Sequence, residues 1–257
     1  MKKEIYNKII QKKEFSKLPK KDVELVFEKF DKEKYLDLEK IKLTRDLLRK
    51  VFSVFTSKKI LSLKNRDERW ILKKHISTRE RLGYYEQVYS RILKGFEKLI
   101  IFDFGAGVNG FSYIFFEKIG FKVKYIATEA MGQLVDLMNN YFFKKKINAK
   151  AYHLSLFDLE KNLNLIKKQK GKKVIFLFKV LDSLEMVERN YSKKLLLKMV
   201  PLVDRVVISF ATKSLMKHSR FKVKRNWLIY FLKENFDIVD DFEINSERYI
   251  VIKKKCF

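Results

Sequence analysis

Three glycines, an aspartate and a glutamate set the first constraint on the chemistry this chain can do. Gly105, Gly107 and Gly110 fall in the run Asp103-Phe104-Gly105-Ala106-Gly107-Val108-Asn109-Gly110, with the spacing G-x-G-x-x-G. Glycines so placed after an apolar run let the backbone leave a strand sharply and approach a ligand closely. The spacing alone also suits a nicotinamide dinucleotide. Asp103, two residues before the first glycine, gives the D-x-G-x-G form of S-adenosylmethionine sites. Glu129 closes the next apolar run, where a carboxylate can accept both hydroxyls of a ribose, and that serves either cofactor. A tight strand-to-helix turn without a ligand is the bland alternative, and these residues taken together argue against it.

Several methyl-transfer chemistries need residues that this chain lacks. Methylation at C5 of a pyrimidine uses a cysteine nucleophile, and the single cysteine, Cys256, is the penultimate residue. One cysteine also excludes an internal disulfide framework and a cysteine-based zinc site, so no metal is expected. Exocyclic amines are commonly methylated by an [N/D]-P-P-Y loop after the fourth strand. The two prolines are Pro19 and Pro201, and that strand runs instead into Lys179-Val180-Leu181-Asp182. Ribose 2′-oxygen transfer would need a base system, which Lys179 with Asp182 would have to supply. A ring nitrogen such as guanine N7 needs neither nucleophile nor base. Its lone pair must only be set in line with the methyl group with water excluded. No catalytic acid or base is assigned.

The elements that must position these residues follow from periodicity. Expected strands at 99–102, 123–128, 149–154, 174–178 and 205–210 alternate with expected helices at 110–119, 131–145 and 183–199. That alternation implies a mostly parallel sheet covered on both faces. The end differs: strands at 236–242 and 248–252 flank a short turn and read as an antiparallel pair. A doubly wound sheet closing this way is the class I (Rossmann-like) methyltransferase sheet. Residues 1–74 carry helical periods only, with Val23, Phe27 and Phe30 on one face and Leu38, Ile41, Leu48, Val51, Phe52 and Phe55 on another. They read as a small all-α N-terminal domain, with 75–257 as the α/β domain. A further helix is expected at 78–96, and Phe115, Phe116, Phe142 and Phe143 are expected in the core.

Of 257 residues 47% are hydrophobic, enough for a sizeable core, and the formal net charge is +27. A charge that large is self-repelling unless something anionic shares the surface, and nucleic acid is the usual partner. A lysine-rich composition bias is the bland explanation. The first 74 residues hold 23 of the 58 basic residues and 12 of the 31 acidic ones, so positive charge is densest there. The N-terminus has no continuous apolar core of a signal peptide, and no uncharged run reaches the length of a membrane span. A cytoplasmic, monomeric chain with no membrane partner is expected.

Four segments carry a resemblance to a known family. They are His75-Ile76-Ser77-Thr78-Arg79-Glu80-Arg81-Leu82, Phe102-Asp103-Phe104-Gly105-Ala106-Gly107-Val108-Asn109, Phe178-Lys179-Val180-Leu181-Asp182-Ser183-Leu184-Glu185 and Ser209-Phe210-Ala211-Thr212-Lys213-Ser214-Leu215. In order and spacing they resemble the motifs H-x-S-T-x-E-R-[LV], L-D-[LI]-G-C-G-x-N-P, L-L-K-x-L-P-x-L-E and V-S-F-P-[TV]-[RK]-S-L of the aminoglycoside-resistance 16S rRNA guanine-N7 methyltransferases (Arm/Rmt type). The likeness runs from about Lys74 to the C-terminus. The N-terminal region matches in kind, since that family also carries a basic helical extension that docks on the small ribosomal subunit.

The resemblance implies S-adenosylmethionine as cofactor, structured RNA (small-subunit 16S rRNA) as partner, and the following roles. Arg81 would pair with the carboxylate of the cofactor's methionine moiety, with His75, Ile76 and Ser77 lining the same end. Gly105, Ala106 and Gly107 would admit the cofactor to the backbone, and Glu129 would hold its ribose. His153 and Leu154 stand where the family has Asp-Leu at the adenine, and Leu177 would pack on that ring. Lys179, Lys213 and Ser214 would face the target nucleotide. The departures are Ala106 for Cys, Gly110 for Pro, His153 for the adenine-side Asp (with Asp158 as a substitute), Ala211 for Pro, and Met216-Lys217 for a glycine pair.

Bland readings stand beside these. His153 also fits an ordinary strand-end histidine, His75 a structural one, and Arg81 a surface ion pair. Lys217, Arg220, Lys222, Lys224 and Arg225, with Lys213, form a basic cluster after the fifth strand that suits either RNA or solvent. The expectation is a methyltransferase of guanine N7 in rRNA. The alternatives are a non-catalytic family member that binds RNA or ribosomes, and a methyltransferase of another RNA.

Overall fold

Why the sheet is parallel at its centre is plain from burial: Ile101, Phe102, Val174, Ile175, Val206 and Ile208 have no exposed surface. Strands this apolar on successive residues need cover on both faces, which βα crossovers supply. The computed structural model describes residues 1–53, 60, 67–212 and 225–255. Helices α1 (Lys3–Ile10), α2 (Lys20–Glu28) and α3 (Asp37–Leu48) come first, and α3 runs into a π-helical turn, Arg49–Ser53. Then come α4 (Glu68–Lys74), α5 (Ile76–Arg81) and α6 (Tyr85–Ile92). The sheet domain follows as β1 (Lys98–Phe104), α7 (Tyr113–Lys118), β2 (Lys122–Glu129), α8 (Gly132–Lys144), β3 (Ala149–His153), α9 (Leu159–Lys167) and β4 (Lys173–Phe178). It closes with α10 (Leu181–Val187), α11 (Tyr191–Met199), β5 (Arg205–Ala211), α12 (Asn226–Asn235), β6 (Phe236–Ile244) and β7 (Glu247–Lys254).

The seven strands lie in the order β3-β2-β1-β4-β5-β7-β6. The first five are parallel; β7 runs antiparallel to both β5 and β6. This is the expected class I methyltransferase sheet with its antiparallel C-terminal pair. The strand order reverses between β1 and β4, and in such sheets the crevice beyond the carboxyl ends of those strands is where ligands bind.

The N-terminal helices pack their apolar faces together through Ile9, Val23, Val26, Phe27, Ile41 and Leu48. They are tied to the sheet domain beside that crevice. Gly132 N donates to Lys17 O (3.2 Å), Gln133 Nε2 to Lys13 O (2.8 Å), and Lys17 pairs with Asp136 (2.5 Å). The fully buried Asp22 of α2 accepts from Ser155 Oγ in the loop after β3.

Two expected helices are broken. The one at 78–96 divides into α5 and α6 at Leu82–Tyr84, around Gly83, a residue that weakens helix interiors. The one at 183–199 divides into α10 and α11 because Asn190 takes a left-handed conformation (φ 64°) and Glu185 caps the second helix. Its carboxylate accepts from Asn190 N (2.7 Å) and Ser192 N (2.8 Å), satisfying donors that open a helix. Helices α9 and α12 were not expected. Phe143 is 86% exposed and Leu38 73% exposed, whereas Phe115, Phe116 and Phe142 are buried as expected. Phe55 lies outside the described residues. Among the described residues no helix is long and apolar enough to cross a membrane.

Candidate functional site

At the end of β1 the chain turns through Gly105 (φ +69°) and Gly107 (φ +57°), a region that side chains disfavour. Space enforces glycine too. A Cβ at Gly105 would lie 2.7 Å from Val180 Cγ2, and one at Gly107 3.0 Å from the His75 ring. Asp103 holds the turn from beneath: one oxygen accepts from Asn109 Nδ2 (2.6 Å) and from Tyr125 OH. Burial pushes the Asp103 carboxyl above its ordinary range, against these hydrogen bonds. Gly110 serves packing, since a Cβ there would meet the Phe142 ring at 2.7 Å and the Met138 sulfur at 2.9 Å.

Glu129 ends β2 with both oxygens on backbone amides. Oε2 accepts from Gly107 N (2.8 Å) and Oε1 from Met131 N (2.9 Å). Its carboxyl is raised by burial, while the amide bonds act the other way. Ala130 N–H donates to this carboxylate as well.

A buried charge cluster closes the other end. Arg81 of α5, 2% exposed, lays one edge of its guanidinium on Glu247 of β7, with Nη2–Oε1 2.8 Å and Nε–Oε2 3.3 Å. Nε also reaches Tyr249 OH (3.2 Å), Nη1 donates to Asn109 Oδ1 (3.0 Å), and the guanidinium lies 4.4 Å from the Phe178 ring centroid. The Tyr85 hydroxyl accepts from the guanidinium as well. Glu247 also accepts from Ser209 Oγ (2.5 Å) and lies 3.2 Å from Lys179 Nζ, which pairs with Glu80 as well. Burial alone would raise the Glu247 carboxyl, but Arg81 and Lys179 hold it below its ordinary value. Burial, reinforced by Arg81 and Lys179, pushes the His75 imidazole down to about 3, so it is neutral at physiological pH. Lys179 itself has φ 57°, a strained value for a side-chain-bearing residue, and its N–H is held by Ser209 O (3.1 Å).

His75, Ser77, Arg81, Gly105, Ala106, Gly107, Glu129, Leu154 and Lys179 all line one cleft at the β1/β4 switch point. Ile76 and Leu177 are not on its wall; Leu177 is fully buried within β4. His153 is exposed, its Nε2 on Ala130 O at 2.9 Å, and is also off the wall. Lys213, Ser214, Lys217, Arg220, Lys222 and Lys224 lie outside the described residues. Arg225 pairs with Asp182 (2.6 Å) and its side chain is 13% exposed. The ion pair weighed for Arg81 exists, but it is buried and not on the surface. Among the described residues no group of three His, Cys, Asp or Glu side chains can hold a metal.

Sequence reasoning missed Val51 and Phe52, which bring the helical N-terminal part onto the cleft wall, and Leu156 and Phe157 after β3. It also missed Asn109 as a ligand of Arg81, and Glu247, whose partner lies 166 residues away. The periodicity of 48–55 put Val51 and Phe52 on one face, which was the available signal. Nothing local marks Glu247.

No family model matches the chain, and no curated protein matches it in sequence. In fold it is similar to the 16S rRNA methyltransferase RmtF, solved in complex with S-adenosyl-L-homocysteine, with a TM-score of 0.80 over 99% of this chain and 100% of that one at 18% identity. The 16S rRNA methylase RmtB gives a TM-score of 0.74 at 19% identity, covering 98% of both chains. An rRNA methylase from Escherichia coli gives 0.74 at 18% identity, over 98% of this chain and 99% of that one. The shared fold therefore includes the helical N-terminal part as well as the sheet.

Proposed function

We propose that the chain is an S-adenosylmethionine-dependent methyltransferase that modifies a base in structured RNA, namely guanine N7 in small-subunit rRNA. The observation that carries this reading is that Arg81, the Gly105–Gly107 turn and Glu129 line one cleft, groups suited to the carboxylate, the close backbone approach and the ribose of such a cofactor. The residues fit the cofactor on their own geometry: a glycine cradle that a Cβ would fill, a buried guanidinium on the cleft wall for a carboxylate, and the Glu129 carboxylate on the same wall as an acceptor for the ribose. Bound there, S-adenosylmethionine supplies an electrophilic methyl group.

Arg81 would bind the carboxylate, held in orientation by Glu247 and Asn109. Leu154, Leu156 and Phe157 would enclose the adenine and exclude water. Neutral His75 would face the turn without adding charge. Lys179 and Asp182 do not form a couple, since Lys179 pairs with Glu80 and Glu247 and Asp182 with Arg225. That arrangement disfavours ribose-oxygen transfer and favours an acceptor that needs no base. RNA as the acceptor is supported by the net charge of +27 and by the full-length likeness in fold to 16S rRNA methyltransferases. The 1–74 helical part would be the docking domain, with 75–257 carrying catalysis.

Titration calorimetry with S-adenosylmethionine, followed by transfer of labelled methyl to small ribosomal subunits, tests the proposal. A second reading has its own observation: Glu247 already compensates Arg81 without a ligand. An RNA-binding protein that takes no cofactor would show no heat on titration.

A further inference from the structure

A second groove, of about 870 Å³, opens at the opposite edge of the sheet, where the parallel strands begin. Lys98, Lys122, Lys124, Lys168, Lys170 and Lys172 converge on it. They come from the starts of β1 and β2 and from the loop entering β4, brought together only by the parallel topology. Lys124 donates to Gln169 (2.8 Å) and Lys172 pairs with Asp204 (2.9 Å). Lys98, Lys122, Lys168 and Lys170 have no acidic partner among the described residues, and Glu117 is the only acid among those lining the groove.

The helix dipole does not account for this charge. Helices α7, α8 and α9 end at the same edge, and each already carries its own basic residue in the last turn: Lys118, Lys144 and Lys167. The groove lysines are additional to these. The floor is apolar, with Leu99 and Val123, and half-buried Phe121 lies on its wall. Phe143, at the end of α8 on that edge, is 86% exposed. Cations over an apolar, partly aromatic floor fit a backbone with splayed bases better than they fit a small anion.

We propose that this groove is a second binding surface for RNA, taking the phosphodiester backbone of a single-stranded or looped segment. It is separate from the cofactor cleft, which lies a strand length away, about 20 Å. The inference rests on the RNA half of the proposed function and not on the cofactor.

The test uses the full chain and deproteinised small-subunit rRNA as probe. Lys122→Gln, Lys168→Gln and Lys170→Gln are combined, with the Glu versions of the same three as a second variant. Three lost phosphate contacts should reduce the slope of log Kobs against log salt by about 2. S-adenosylmethionine affinity should be unchanged, since none of the three lines the cleft. An unchanged slope for both variants overturns the proposal. So does a variant that keeps RNA affinity but loses poly-L-glutamate, which would assign the groove to an acidic protein. A wild-type chain that methylates RNA while the variants bind like it defeats the groove alone. A wild-type chain that binds no RNA defeats the groove and the RNA reading together.

Discussion

Replacing Arg81 by methionine should do two separable things, and the structure says how large each is. Glu247 loses its bidentate partner inside the protein but keeps Lys179 at 3.2 Å and Ser209 at 2.5 Å. Breaking one side of a buried pair costs about 3–5 kcal/mol, and with those two partners left the loss should sit near 3 kcal/mol. The cofactor loses a charge-assisted contact of about 2–3 kcal/mol, a fall in affinity of about 30- to 150-fold. Adding Glu247→Gln removes the uncompensated carboxylate. Replacing both members of a buried pair is often close to neutral, so the double variant should recover more than half the lost stability. It should recover none of the lost affinity. Urea denaturation and calorimetry with S-adenosylmethionine read the two quantities on the same protein. If the double variant regains cofactor affinity, Arg81 acts only through the fold and its role as carboxylate anchor is wrong.

Three further outcomes follow from single residues. Gly107→Ala places a Cβ 3.0 Å from the His75 ring at φ +57°; cofactor affinity should fall at least ~10-fold with a stability loss of about 1–2 kcal/mol, read by calorimetry and thermal melting. Phe52→Ala opens the wall that the helical N-terminal part gives the cleft, and a loss of about 1 kcal/mol of apolar contact should weaken cofactor binding several-fold while leaving secondary structure by circular dichroism unchanged. Asp22 is raised to about 7, chiefly by burial, with the Ser155 hydrogen bond opposing. A carboxyl whose folded pKa is raised binds more protons folded than unfolded between its ordinary value and about 7, so stability falls as pH rises through that window. Asp22→Asn should therefore add stability on the order of a few kcal/mol at pH 8 and little at pH 4, which urea titrations at the two values check; an equal gain at both would refute the buried-carboxyl account.

The sheet was legible because its strands are buried on both faces, so they read as apolar runs with turn residues between them, and the antiparallel end showed in the short 243–247 turn. Helix continuity was less legible. The break at 82–84 depends on a single glycine, and that at Asn190 on one left-handed residue and one capping carboxylate, features that periodicity averages away. Phe143 shows the same limit, since a phenylalanine on a helix facing the sheet edge has no periodic mark of its exposure. In the site, residues joined to the glycine turn by short spacing were found: Asp103, Gly105, Gly107 and Glu129. Glu247 was not, because its role exists only once β7 lies beside β5 and meets α5. His153 sits at the position expected to face the adenine, yet its ring turns to the Ala130 carbonyl. A strand-end position does not fix a side-chain direction.

The central claim is methyl transfer to a guanine ring nitrogen in small-subunit rRNA. The direct measurement is incubation of the protein with methyl-labelled S-adenosylmethionine and small ribosomal subunits, followed by borohydride and aniline treatment, which cleaves the chain at N7-methylguanosine. The account predicts label in the rRNA and one new cleavage position. Label in the rRNA without cleavage would contradict the N7 assignment, and cofactor binding with no label in any RNA would contradict the account as a whole.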